Sequence, residues 1–102
     1  MPIPHELKVI KRNVPTILYQ HKDSAKTLIN HGIAIAKKYK DDTTNALLLN
    51  QKGIFHFLNA DYGLASSSFD SAITINEEYQ VWGRLIDNLN NKGYIYRVVG
   101  NY

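Results

Sequence analysis

The chain has 102 residues, enough for one domain with a core of its own and too few for several. Apolar residues make up 44% of it and charged residues 21%, ordinary for a globular chain, and no apolar run approaches the roughly 18 residues of a membrane span. There is no cysteine, which excludes a disulfide framework, a thiol nucleophile and a thiolate metal site.

The net charge of +3 is unevenly spread, with +6 on residues 1–40 (eight Lys/Arg against two acids) and −3 on residues 41–102 (four against seven). A basic front and an acidic back suit separate partners, head-to-tail contact between molecules, or a solvated surface with uneven charge. The opening Met1-Pro2-Ile3-Pro4-His5-Glu6 lacks the charged-then-apolar order of a signal peptide, so a cytoplasmic setting is the default expectation.

Residues 1–22 read as a degenerate or truncated N-terminal helical segment. Pro2 and Pro4 disfavour helix at the very start, and Leu7 to Arg12 suggests a short amphipathic turn. Pro15, lacking a donor and clashing with the preceding turn, is expected to interrupt it, with Asn13-Val14-Pro15 restarting a new helix. From 23 to 39 the pattern clears: Ala25, Ile29, Gly32, Ile33 and Ala36 recur at steps of three and four and share one helical face. Asp23 and Ser24 suit an N-cap there, and Lys37, Lys38 and Lys40 complement the dipole at the far end.

Asp41-Asp42-Thr43-Thr44 is a string of capping residues. After it, Asn45 to Leu58 is apolar around much of its circumference, as in a helix sandwiched between neighbours. Leu58 to Tyr62 reads as a tight turn, and a second helix is expected from Tyr62 to Tyr79 with Asp61 as its cap. Residues 80–98 repeat the first-helix design with Trp82, Leu85, Ile86, Leu89, Ile95 and Val98 as apolar positions.

These segments are copies of one another. Leu49-Asn50-Gln51-Lys52-Gly53 through Tyr62 returns forty positions later as Leu89-Asn90-Asn91-Lys92-Gly93 through Tyr102, with five identities in fourteen positions, where chance gives about one. Ala25/Ala65, Ile33/Ile73, Ile35/Ile75 and Tyr39/Tyr79 are identical at the same spacing. Residues 23–102 therefore divide into a second helix (23–39), a full unit (42–79) and the first helix of a next unit (80–98). The last copy stops at the residue that would open its second helix, so an array cut from a longer protein, or an end covered by another molecule, is expected.

With Leu49 four positions before Gly53, the spacing of Gly53, Tyr62, Ala65, Phe69 and Ala72 resembles the tetratricopeptide repeat, a helix-turn-helix unit of about 34 residues. The resemblance implies an all-α, right-handed solenoid of antiparallel helix pairs, about two and a half units long. It departs from the family in its 40-residue period, in Lys52 and Lys92 where Leu is usual, and in Glu77 where a proline often ends the unit. Gly53 and Ala65 are small where two helices are expected to cross, Tyr62 and Phe69 to fill the space beside them, and Ala72 to admit the following helix. Gly93 is expected to mark the same crossing in the next unit. Such a unit cannot bury its own face, so neighbours must stack.

In the family, first helices line a groove for peptides or partner helices. Carried over by position, the groove candidates are Leu47, Asn50, Gln51, Ile54 and Phe57, with Asp87, Asn90, Asn91, Tyr94 and Arg97 in the next unit. A clamp for a terminal carboxylate is not expected, since Asn and Gln stand where it needs Lys. Asn50 and Asn90 suit either the main chain of an extended peptide or the register of the stack. Tyr94 and Arg97 suit either a contact surface or packing under a further helix. His5, His21, His31 and His56 form no i, i+4 metal pair, and neither Asp41-Asp42, Glu77-Glu78 nor Ser66-Ser67-Ser68 has the neighbours catalysis needs. Lys8, Lys11, Arg12, Lys22, Lys26, Lys37, Lys38 and Lys40 give the front half a field for phosphate, but the aromatics follow the packing pattern instead of interleaving with them. The expectation is a non-enzymatic protein- or peptide-binding module without cofactor, metal or nucleic-acid partner. Extended arrays of this kind occur in bacterial sensor kinases and transcription regulators, which implies a sensing or regulatory role. The alternative is a homo-oligomerisation segment stacking through open repeat ends.

Overall fold

The computed structural model describes residues 2–100, and among these it holds five helices and no strand: α1 (His5–Gln20), α2 (Lys22–Lys38), α3 (Asp42–Leu58), α4 (Tyr62–Glu78) and α5 (Trp82–Val99). The repeat match at Asn101 and Tyr102 lies outside the described residues. Each helix packs on the next, and across the layer α1 also meets α3 and α3 meets α5, while α2 and α4 do not pack on each other. The odd-numbered helices thus form one layer and the even-numbered helices another, in a slab of 45 × 32 × 18 Å.

Three of the four connections are the same turn at twenty-residue intervals. Lys40, Ala60 and Gln80 sit in the left-handed region at φ 56, 58 and 56. The next amide in each reaches back over the helix end, Asp41 N–H to Ala36 O at 2.8 Å, Asp61 to His56 at 2.8 Å and Val81 to Asn76 at 2.9 Å. A second bond of shorter sequence span closes inside it, from the Lys40, Ala60 and Gln80 N–H groups to the Lys37, Phe57 and Glu77 carbonyls at 3.2, 3.0 and 3.2 Å. This is the Schellman closure, which satisfies carbonyls that a helix end leaves unpaired. The residue after the left-handed one is already the N-cap of the next helix, so the chain reverses at once. Asp41 accepts a bond from the Thr44 N–H at 3.3 Å, whereas Asp61, the expected cap of α4, occupies the position without making the side-chain bond. The expected Asp23 cap is also corrected: α2 starts at Lys22 behind His21, and Asp23 lies within its first turn.

The largest correction concerns residues 1–22. Instead of a broken turn, α1 is one continuous helix with Pro15 inside it. Proline removes one hydrogen bond and crowds the preceding turn, but Pro15 lies on the exposed side, where water can serve the freed carbonyl. The face beside it carries Leu7, Ile10, Val14 and Leu18, all buried. Burying a side chain of this size is worth about 1.5–3 kcal/mol, so four of them outweigh the cost of the proline.

Those four residues belong to the main core with Ala25, Ile29, Ile33, Ala36, Leu48 and Phe55. A smaller core of Ala65, Phe69 and Ile95, flanked by Ile54, Phe57 and Tyr62, joins α4 and α5 to α3. At Gly53 the α3 and α4 helices approach so closely that a Cβ would lie 2.5 Å from the Phe69 ring. The second crossing expected at Gly93 falls on α5, the last described helix, and no described residue comes within 4 Å of where its Cβ would be.

Candidate functional site

The three odd-numbered helices leave a cavity of about 290 Å³ at one end of their layer, lined by Tyr19 of α1, Ile54, Phe57 and Leu58 of α3, Phe69 of α4, and Asn91 and Tyr94 of α5. The lining is apolar except for Asn91 and the tyrosine hydroxyls. Phe57 is held edge-to-face against Tyr62 at 5.5 Å between ring centroids, so the cavity has a fixed aromatic wall. Tyr94 at the mouth is 52% exposed, and the Arg97 guanidinium rests on its ring, 4.3 Å from the centroid. An apolar hollow with one amide and a cation at its rim suits a large apolar side chain next to a negative charge.

Four of the sequence candidates, Ile54, Phe57, Asn91 and Tyr94, are brought together here, with Arg97 stacked on the last. Leu47, Asn50 and Asp87 instead border a separate crevice with Asn76, Arg84 and Asn88. Gln51 is half-buried and outside the cavity, and Asn90 is exposed. Tyr19, Leu58 and Phe69 complete the cavity and were not among the groove candidates. Tyr19 belongs to the helix that Pro15 was expected to break, and Phe69 reads as core by its spacing.

Asn50 is engaged within the chain. Asn76 donates to Asn88 Oδ1 at 2.7 Å, Asn88 donates to Asn50 Oδ1 at 2.9 Å, and Asn91 donates to the same oxygen at 3.1 Å. This chain of amides ties α4 and α5 to α3. Asn76 and Asn88 are 0% and 1% exposed, and their equivalents forty residues earlier are the buried apolar pair Ala36 and Leu48. The signal was therefore present in the sequence, as two matched departures from the first copy's pattern. Arg84 adds a bond to the Thr43 carbonyl at 3.2 Å. With its acceptor oxygen taken twice, Asn50 keeps only its Nδ2 donors to meet the main chain of a bound peptide.

Outside the cavity, Lys92 and Asp70 pair at 2.6 Å, and this hydrogen bond raises the lysine's pKa. The Tyr79 hydroxyl donates to Asp42, which raises the tyrosine's pKa. Burial pushes His56 below its ordinary 6.5, with Lys52 and Lys26 acting the same way against the opposing pull of Asp61. Among the described residues no three His, Asp or Glu side chains are grouped as metal ligands would be, and no helix is long and apolar enough to cross a membrane. No family model, curated protein or solved structure matches the chain.

Proposed function

We propose that the chain is a non-enzymatic, tetratricopeptide-like helical-repeat module that binds a protein or peptide partner through the cavity of its odd-numbered helices, in a sensing or regulatory role. The observation that carries this reading is the aromatic-walled hollow of about 290 Å³ between α1, α3 and α5. The repeat reading draws support from the forty-residue copies, the antiparallel helix pairs and the segregation of odd and even helices into two layers. The hollow is at the small end for ligand sites, which run from about 300 Å³ upward, so it suits a bulky side chain together with its flanking residues and not a large cofactor. The preferred occupant is a peptide with a Leu or aromatic anchor seated between Ile54, Phe57 and Tyr94. An acidic neighbour of that anchor meets Arg97.

The test is selection of peptides from a random display library against the full chain, followed by calorimetry. Selected sequences share a large apolar residue beside Asp or Glu, and Tyr94→Ala weakens them about tenfold or more, as expected for an aromatic contact at the centre of an interface. Tyr94 is half exposed, so its removal leaves the helix packing intact. Binding that is equally tight to Tyr94→Ala sinks the proposal.

A further inference from the structure

In the second copy Lys92 of α5 pairs with Asp70 of α4 at 2.6 Å, and the Tyr96 ring lies beside the ammonium. Forty residues earlier, on α3 and α2, Lys52 stands for Lys92, but Asn30 stands for Asp70 and His56 for Tyr96. Lys26 replaces Ser66, one helical turn before Asn30. The lysine is thus kept, its carboxylate has become an amide, and a second lysine and a histidine have joined it. Lys26 and Asn30 of α2 and Lys52 and His56 of α3 line one hollow with the buried Ile29 and Phe55. Each pair is one turn apart on its helix, so the four side chains border the same groove from two sides. Burial lowers the His56 pKa, and Lys52 and Lys26 lower it further against Asp61, so the three basic groups share one field. Among the described residues neither lysine makes an ion pair. Like charges gathered without a counter-ion repel, so packing alone does not explain the exchange.

We infer that this α2–α3 hollow binds a phosphate group, either the free ion or a monoester. Two ammonium groups match the two charges of a phosphate dianion, whereas a carboxylate would leave one of them unneutralised. The Asn30 amide and the His56 ring each add a neutral N–H donor for the remaining oxygens. In the second copy a carboxylate, Asp70, already occupies the lysine from within, so only the first copy is open to an outside anion. The hollow itself encloses about 10 Å³, room for no more than a water, so the phosphate rests across its mouth. Lys26 is exposed and Lys52 half-buried, which leaves both ammonium groups within reach of solvent. A bound anion favours the protonated imidazole, so binding reverses the fall in the His56 pKa. The site shares no residue with the cavity of the odd-numbered helices and does not depend on the peptide-binding reading.

Titration of the full chain with inorganic phosphate at constant ionic strength tests this, followed by nuclear magnetic resonance of the amides and the His56 ring. Saturable shifts concentrated in α2 and α3 are expected, with the His56 pKa higher in phosphate than in chloride. Asn30→Asp is the decisive variant. Asn30 is exposed and the change is isosteric, so the helix stays folded while Lys52 regains the carboxylate of the second copy. Phosphate binding should weaken about tenfold or more, the worth of a charge-assisted hydrogen bond. Asn13→Asp makes the same charge change on the exposed surface of α1 and should leave the affinity unaltered. A phosphoserine peptide bound as tightly as the free ion or more tightly assigns the group to a phosphorylated partner, and weaker binding assigns it to the ion itself. The proposal is overturned by shifts at His56 that are absent, unsaturable or reproduced by chloride, or by equal binding to Asn30→Asp. Equal weakening in Asn13→Asp overturns it too, reducing the site to a diffuse positive field.

Discussion

At the residue level, the most informative feature is the exchange of an apolar pair for two asparagines between the copies. Ala36 and Leu48 are fully buried, and so are Asn76 and Asn88, which bond at 2.7 Å. A buried amide that loses its partner keeps the full desolvation penalty, about 1–3 kcal/mol, whereas removing both partners together is close to neutral. Asn88→Ala is therefore expected to lower the stability to urea by that amount. The double variant Asn76→Ala/Asn88→Leu, which restores the first copy's pair, should return to within about 1 kcal/mol of wild type. A double variant as unstable as the summed single changes would show that the amides are not acting as a pair. His56 gives a separate, pH-dependent signal. Burial holds its pKa below the ordinary 6.5, so the unfolded chain takes up the proton more readily than the folded one. Its contribution is complete above 6.5 and is lost as pH falls below it. The urea midpoint should fall between about pH 7.5 and about pH 5, and fall less in His56→Gln; equal falls would remove His56 as a cause.

At the level of the elements, the repeated turn stores strain that the sequence does not need. Lys40, Ala60 and Gln80 each hold a positive φ, a conformation that costs a residue with a Cβ roughly 1–2 kcal/mol and costs glycine far less. Each of Lys40→Gly, Ala60→Gly and Gln80→Gly should raise stability by about 1 kcal/mol, somewhat less where the freer unfolded chain offsets it. Thermal melts of the three single variants check this, and a uniform loss would show that the turns are not strained. The same turns explain what was readable beforehand. The periods of α2 to α5 and their starts near Asp41 and Asp61 stand out because apolar spacing and capping residues are local signals. Lys, Ala and Gln carry no turn signal, so the left-handed positions were not visible. Pro15 misled for the opposite reason: its local penalty is plain, while the burial of Leu7, Ile10, Val14 and Leu18 that overrides it exists only once α2 and α3 are in place. The candidate site divides in the same way. Ile54, Phe57, Asn91 and Tyr94 share a surface because helix spacing put them on facing sides. Tyr19 joins them, and Asn50 leaves them, through contacts between helices that are distant in sequence.

For the whole molecule, burial is greatest in α3 and least in α5, and this unevenness would couple stability to the proposed binding. The main core draws on α1, α2 and α3, whereas α5 buries only Asn88 and Ile95. A helix with so little buried surface opens at lower free energy than the rest, so its amides should exchange fastest among the five helices. Two of the residues lining the cavity, Asn91 and Tyr94, nevertheless lie on α5. A peptide held there binds only while α5 is docked on α3, and mass action converts its affinity into protection. At about 100 times the dissociation constant the gain is about 2.7 kcal/mol, which slows exchange about a hundredfold. The slowing should reach every amide of α5 and the adjoining end of α3, and elsewhere only those amides whose opening unfolds the whole chain and so also releases the peptide. Hydrogen exchange with and without a selected peptide measures this directly. Protection that is absent from α5 would place the bound peptide elsewhere on the molecule.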